Sequence, residues 1–163
     1  MKRLILMRHA KSDWSGGPSS DHDRPLNPRG RKAASALGAW MTSKELMPEQ
    51  VLCSSAMRTK ETFVRLDLGD IANFRYDRAL YLAEPDTLLN ALQAATGDCV
   101  LMIGHNPGSG MMAEAIVQET PNHPQFMSYP TGATLVADFD ITDWRDACWG
   151  KAVARHFIVP RDL

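Results

Sequence analysis

The chain has 163 residues, of which 44% are hydrophobic and 23% charged, the balance of an ordinary globular protein with room for a real core. Its formal net charge of −1 gives no electrostatic case for nucleic acid or a membrane surface as partner. No apolar run approaches the ~20 residues of a membrane-spanning helix, and the opening run lacks the small-residue cleavage site of a secretory signal.

The first predicted element is a buried strand over Leu4–Met7, followed at once by Arg8, His9 and Ala10. A loop follows by composition, Asp13 to Ser20, and then Asp21-His22-Asp23-Arg24-Pro25-Leu26. Asn27 is a good N-cap and Pro28 fits a first helical position. The spacing of Ala33, Leu37, Trp40 and Met41 predicts one apolar helix face, closed by Pro48. Val51–Cys53 reads as a second strand. Ser55 can cap a helix that carries Arg58 in its first turn and runs to about Leu68. Phe74–Tyr76 is a short strand and Leu80–Glu84 a loop; Pro85 or Asp86 opens a helix with Leu88, Leu89 and Leu92 inward. Cys99–Ile103 is the strongest strand. After it, Asn106 and Pro107 repeat the cap-then-proline start, with Met111, Met112, Ala115 and Ile116 on the apolar side of the helix. Pro121–Pro124 is a turn-rich loop, and strands are expected over Ala133–Phe139 and Ala152–Val159. Strands alternating with helices predict one three-layer α/β/α domain, residues 1–163, with a mostly parallel sheet covered on both faces.

Cys53, Cys99 and Cys148 form no metal spacing and leave an odd thiol. Two of them lie beside apolar residues, which points to reduced thiols in a cytoplasmic protein. The five histidines show no zinc-type pairing, so neither a metal site nor a cofactor is expected.

Three strand ends carry related chemistry. The first ends in Arg8-His9, the second leads to Arg58, and the fourth ends in His105. Singly, each would be read as a surface or turn residue. Parallel strands put their carboxyl ends on one edge, where open α/β sheets bind ligands, so the four side chains can converge. Helix starts near Ser55 and Asn106 add N–H groups and positive dipole ends that favour an anion. Arginine forks suit phosphate oxygens, and a histidine nitrogen can serve as nucleophile.

Leu6-Met7-Arg8-His9-Ala10 resembles the Arg-His-Gly signature of the histidine phosphatase superfamily, which includes the phosphoglycerate mutases; Ala10 stands where glycine is usual. Asp23-Arg24-Pro25-Leu26 with Gly30, Ser54 to Thr59, Gly104-His105-Asn106-Pro107 and Pro130-Thr131-Gly132-Ala133 are similar to the SixA-type phosphohistidine phosphatases, in the same order along nearly the whole chain. The resemblance implies His9 as a nucleophile that becomes phosphorylated. It implies Arg8, Arg58 and His105 as groups holding the phosphoryl oxygens. Ser12, Arg24 and Asn106 are further substrate-binding candidates, with Arg24 also able to pair with a carboxylate or anchor its loop. Glu84 lies where much of the superfamily carries a general acid; its alternative reading, before Pro85, is a solvated loop or capping charge. Asp21, His22 and Asp23 are polar candidates at the mouth.

The expected activity is therefore metal-independent phosphate hydrolysis through His9. The expected substrate is a phosphohistidine-bearing signalling or phosphotransfer protein. Small phosphate esters in the same pocket are the alternative, and a phosphate-binding module without turnover a further one. Three other motifs are incomplete. Asp138-Phe139-Asp140-Ile141-Thr142 resembles the haloacid-dehalogenase nucleophile motif, but only about twenty residues follow for that fold's remaining ligands. Cys53 and Arg58 are one residue too close for a cysteine-phosphatase loop, and no lysine follows Gly104–Gly110 as a Walker loop requires.

Overall fold

A computed structural model describes residues 1–17 and 20–163; Pro18 and Ser19, within the expected loop 13–20, lie outside the described residues. Among the described residues, six strands and four α-helices follow in chain order, alternating as far as β5: β1 (Lys2–Arg8), α1 (Pro28–Ser43), β2 (Gln50–Ser54), α2 (Met57–Leu66), β3 (Phe74–Asp77), α3 (Pro85–Gln93), β4 (Cys99–Gly104), α4 (Gly108–Ile116), β5 (Thr134–Phe139) and β6 (Val153–Ile158). They form one sheet in the order β3-β2-β4-β1-β5-β6. Strands β3, β2, β4 and β1 are mutually parallel, and β5 runs antiparallel to both β1 and β6. This is the mostly parallel three-layer α/β/α arrangement expected from the strand–helix alternation.

Period-two alternation in β1 explains the two layers. Leu4 and Leu6 face a core completed by Leu92 of α3 and Met112 of α4. Ile5 and Met7 face the other side, with Leu37 and Met41 of α1 and Leu66 of α2. All four β1 side chains are fully buried, each stabilising the sheet by about 1.5–3 kcal/mol. Leaving β1, the chain crosses by α1 over β4 to β2; leaving β4, it returns by α4 to β5 on the opposite side. The neighbours β1 and β4 therefore form a topological switch point, and their carboxyl ends open a crevice.

Several local readings are corrected. Ala56, not Ser55, occupies the N-cap of α2; the Ser55 hydroxyl instead bonds the His22 ring, 2.8 Å to Nε2. Helix α2 stops at Leu66 because Asp67 adopts a left-handed backbone, φ 51°. Helix α4 starts at Gly108 with Pro107 at its N-cap; Asn106, one residue earlier, still accepts from Gly110 N of the first turn at 3.2 Å, while its Nδ2 donates to Tyr129 O. Met111 is exposed and so is Ala115, because the buried stripe of α4 runs through Met112, Ala113 and Ile116. In α1 the buried stripe passes through Ala34, Leu37 and Met41, leaving Ala33 and Trp40 half-buried at its margin. The N-cap of α1 is as read: the Asn27 carboxamide accepts from Gly30 N at 2.8 Å, and Pro28 begins the helix. Among the described residues, no helix is long and apolar enough to cross a membrane.

Candidate active site

Register alone brings the strand ends together. Arg8 lies opposite Gly104, and Cys53 opposite Ile103, so His9, Ser54 and His105 emerge side by side from three adjacent parallel strands. The segment carrying His9 is held by main-chain bonds on both sides. His9 N donates to Gly104 O at 3.0 Å, and Gly132 N donates to His9 O at 2.9 Å. Gly132 has φ 77°, a left-handed backbone that glycine adopts without penalty. Gly30 has a different reason: a Cβ there would lie 1.9 Å from the Lys11 carbonyl oxygen, so α1 can approach the loop after His9 only without a side chain. Thr62 adds a clamp from α2, accepting from Ala10 N at 3.0 Å and donating to Arg58 O at 2.7 Å.

The His9 ring is buried and its orientation is determined. Nδ1 lies 2.7 Å from the Ala10 carbonyl oxygen. A carbonyl only accepts, so Nδ1 carries the proton and Nε2 holds the free lone pair. Burial, above all, pushes the imidazole down to about 3, and the charges of Arg8 and Arg58 act in the same direction. Desolvation is the larger cause and the two arginine charges the smaller one. Neutral at pH 7, His9 is competent to attack.

His105 stands 5.4 Å away, ring centre to ring centre. Its Nε2 meets the Ser54 hydroxyl at 2.8 Å, and its Nδ1 is buried without a partner among the described residues. Burial and the Arg58 charge hold it, too, down to about 3, so at pH 7 it is neutral and not the cation that would serve best as a donor.

The arginines are held by backbone and by one carboxylate. Arg8 donates to Tyr129 O at 3.2 Å, and Asn106 Nδ2 donates to the same oxygen at 3.0 Å. Tyr129 is fully buried and takes φ 45°, a strained backbone for a large side chain, which turns that carbonyl toward both donors. Arg58 donates to Asp21 O at 2.7 Å and to Asp21 Oδ2 at 3.0 Å. Arg24 donates to Asp21 Oδ1 at 3.0 Å and to the Ser12 hydroxyl, and its guanidinium stacks 3.5 Å over the Trp14 ring. The Tyr81 hydroxyl also donates to Asp21 Oδ2. These donors hold the Asp21 carboxyl well below the usual carboxylate range, Tyr81 contributing most. Asp21 is thus an anchor for two arginines and remains an anion, unable to supply a proton.

A cavity of about 350 Å³ joins these groups. Arg8, Lys11, Arg24 and Arg58 line it against the single carboxylate of Asp21, so its field is positive and selects an anion. Buried Nε atoms of Arg8, Arg24 and Arg58 lack partners among the described residues. Of the sequence candidates, Arg8, His9, Ser12, Arg24, Arg58, His105 and Asn106 all line this cavity. Glu84 does not: it is exposed at the N-cap of α3, without a side-chain capping bond, because the chain reaches the cavity at Leu82 and turns away. His22 stacks edge-on to Tyr81, 4.8 Å between ring centres, and Asp23 is exposed. Sequence reasoning missed Trp14, Tyr81, Ser54 and Thr131. Thr131 lies within a quoted motif, whereas nothing about an isolated aromatic in a loop distinguishes Trp14 or Tyr81. Among the described residues there is no cluster of three histidine, cysteine or carboxylate side chains suited to a metal.

The chain as a whole has relatives among known proteins. Residues 4–80 match the model of the histidine phosphatase superfamily (branch 1). An uncharacterized protein of Mycobacterium tuberculosis is 38% identical over 167 residues, covering 95% of this chain and 100% of the relative. A structure from Nakamurella multipartitia, described as a candidate phosphohistidine phosphatase SixA, superposes with a TM-score of 0.85 at 28% identity, covering 98% of this chain and 96% of that one. The protein histidine phosphatase SixA complexed with tungstate shares the fold, with a TM-score of 0.80 at 22% identity and 98% of each chain covered.

Proposed function

This chain belongs to the histidine phosphatase superfamily, in its SixA-type branch, and we propose that it is a phosphatase that removes the phosphoryl group from phosphohistidine on a partner protein, through a phosphohistidine at His9. The observation that carries the reading is the tautomer of His9. Its Nδ1–H is committed to Ala10 O, and its Nε2 lone pair is free on a neutral ring inside a cationic cavity.

The chemistry follows. The phosphoryl oxygens sit among Arg8, Arg58 and His105; the two guanidinium charges offset theirs, and the neutral imidazole adds an N–H donor. His9 Nε2 forms a bond to phosphorus as the bond from phosphorus to the leaving group breaks. Water then displaces His9 from phosphorus, releasing inorganic phosphate and restoring the free imidazole. Because Asp21 is locked as an anion and Glu84 lies outside the cavity, no carboxylic acid stands ready to protonate a leaving group. That favours a phosphoramidate, whose imidazole departs more readily than an alkoxide.

The fold supports a protein as the source of the phosphoryl group. The segment between Arg58 and His105 is used up by α2, β3 and α3, all parts of the central layers, which leaves no insertion to enclose a small substrate. The cavity mouth is accordingly open to a protruding side chain. The free thiols of Cys53, Cys99 and Cys148 fit a reducing cytoplasm, where we place its work. The test compares kcat/KM on a phosphohistidine protein with a panel of small phosphate esters. Preference for the former is expected; faster turnover of esters would reassign the substrate to that class.

A further inference from the structure

A second cavity, of about 180 Å³, adjoins the first and shares Lys11 and Thr131 with it. Three elements enclose it: the first turns of α1 with Arg29, the Thr131 segment, and the 3₁₀ turn Pro160–Asp162 with Arg161. Lys11, Arg29 and Arg161 line it, and no carboxylate does. None of these three cations makes an ion pair with a side chain among the described residues. The nearest acid in sequence, Asp162, is engaged elsewhere: its Oδ2 accepts from His123 Nε2 at 2.9 Å and from Val159 N at 3.0 Å. Three like charges around one unfilled hollow repel one another, and the positive end of α1 adds to the same field. The arrangement is stable at modest cost only because the groups are exposed, and an anion placed there would relieve it.

We propose that this cavity is a subsite for a second anionic group of the substrate, a carboxylate side chain beside the phosphohistidine of the partner protein. Lys11 and Thr131 form the shared wall between the phosphoryl site and the subsite, so the two anions would straddle them. The phosphohistidine half of this proposal rests on the preceding reading; the anionic subsite does not. Exposed ion pairs are individually weak, so Arg29 and Arg161 together should favour an acidic over a neutral substrate by about five- to tenfold, a preference that salt diminishes.

The test uses two phosphohistidine peptides that differ only in glutamate or glutamine on either side of the phosphohistidine, and a matching pair with a non-hydrolysable phosphoryl-triazole in its place. Hydrolysis is measured on the first pair and equilibrium binding on the second, for the wild type and for an Arg29→Gln/Arg161→Gln variant. Phosphoramidate, which carries no second anion, should be turned over equally by both proteins. The expected result is a roughly five- to tenfold preference for the acidic peptide that falls to within about twofold in the variant. Hydrolysis of both peptides with equal kcat/KM and equal triazole affinities would overturn the subsite while leaving the phosphatase reading intact. Absence of all hydrolysis, with the acidic triazole peptide still preferred by the wild type alone, would overturn the phosphatase reading and uphold the subsite.

Discussion

Acid should weaken this fold well before its carboxylates titrate, because two histidines are folded neutral. His9 and His105 are 5% and 3% exposed, and burial pushes both from an ordinary 6.5 to about 3. Between those values the unfolded chain binds protons that the folded chain refuses, so stability rises with pH across the window and is lost as pH falls below 6.5. At pH 5 each ring withholds about 2 kcal/mol, and the pair together about 4 kcal/mol, relative to neutral pH. Against a total of ~5–15 kcal/mol for a typical domain, that is a large fraction. Urea unfolding at pH 7 and pH 5 measures it, with His9→Asn/His105→Asn as the non-titrating control. The wild type should lose about 4 kcal/mol more than the double variant over this interval. Equal losses in the two proteins would show that the rings are protonated, or accessible to protons, in the folded state.

Asp21→Asn should cut kcat/KM on phosphoramidate by roughly 10- to 100-fold, since each charged hydrogen bond to Arg58 or Arg24 is worth about 1.5–3 kcal/mol. An unchanged rate would mean that Arg58 keeps its pose without that carboxylate. Gly30→Ala must place a methyl group 1.9 Å from the Lys11 carbonyl oxygen, a clash with backbone that no side-chain rotation relieves. Such overpacking against a single backbone segment, at Lys11, costs about 1–3 kcal/mol, and a thermal melt should show Tm falling by several degrees. Glu84→Gln, in contrast, should alter turnover of both phosphoramidate and phosphate esters by less than about twofold, as expected of an exposed side chain outside the cavity. A selective loss on esters would restore Glu84 as a leaving-group acid.

The layers were legible because they follow from short-range pattern. Leu4 to Met7 and Cys99 to Ile103 are apolar runs between polar segments, and Asn27-Pro28 carries the chemistry of a helix start in adjacent residues. Boundaries failed where a side chain had a distant partner. Ser55 does not cap α2 because its hydroxyl serves His22, 33 residues earlier. Asn106 stands one residue before the N-cap of α4, where its carboxamide bridges the first-turn Gly110 N and the distant Tyr129 O. The same limit applies at the cavity. Arg8, His9, Arg58 and His105 could be located at strand and helix ends, because parallel topology sends those ends to one edge. Their positioning could not, because it depends on Asp21 meeting Arg58 and Tyr81 across 37 and 60 residues, contacts with no local signature. Tyr129 is the extreme case. Its role is played by a main-chain carbonyl in a strained conformation, and no side-chain chemistry announces it.

The central claim is covalent: the phosphoryl group passes through Nε2 of His9. Brief reaction with a phosphohistidine protein, rapid denaturation under alkaline conditions that preserve the phosphorus–nitrogen bond, and mass spectrometry of the peptides tests it directly. The account predicts one added phosphoryl group on the peptide containing His9, absent from a His9→Ala variant that also loses hydrolysis. Full hydrolysis by His9→Ala, or a phosphoryl group carried by another residue, would contradict it.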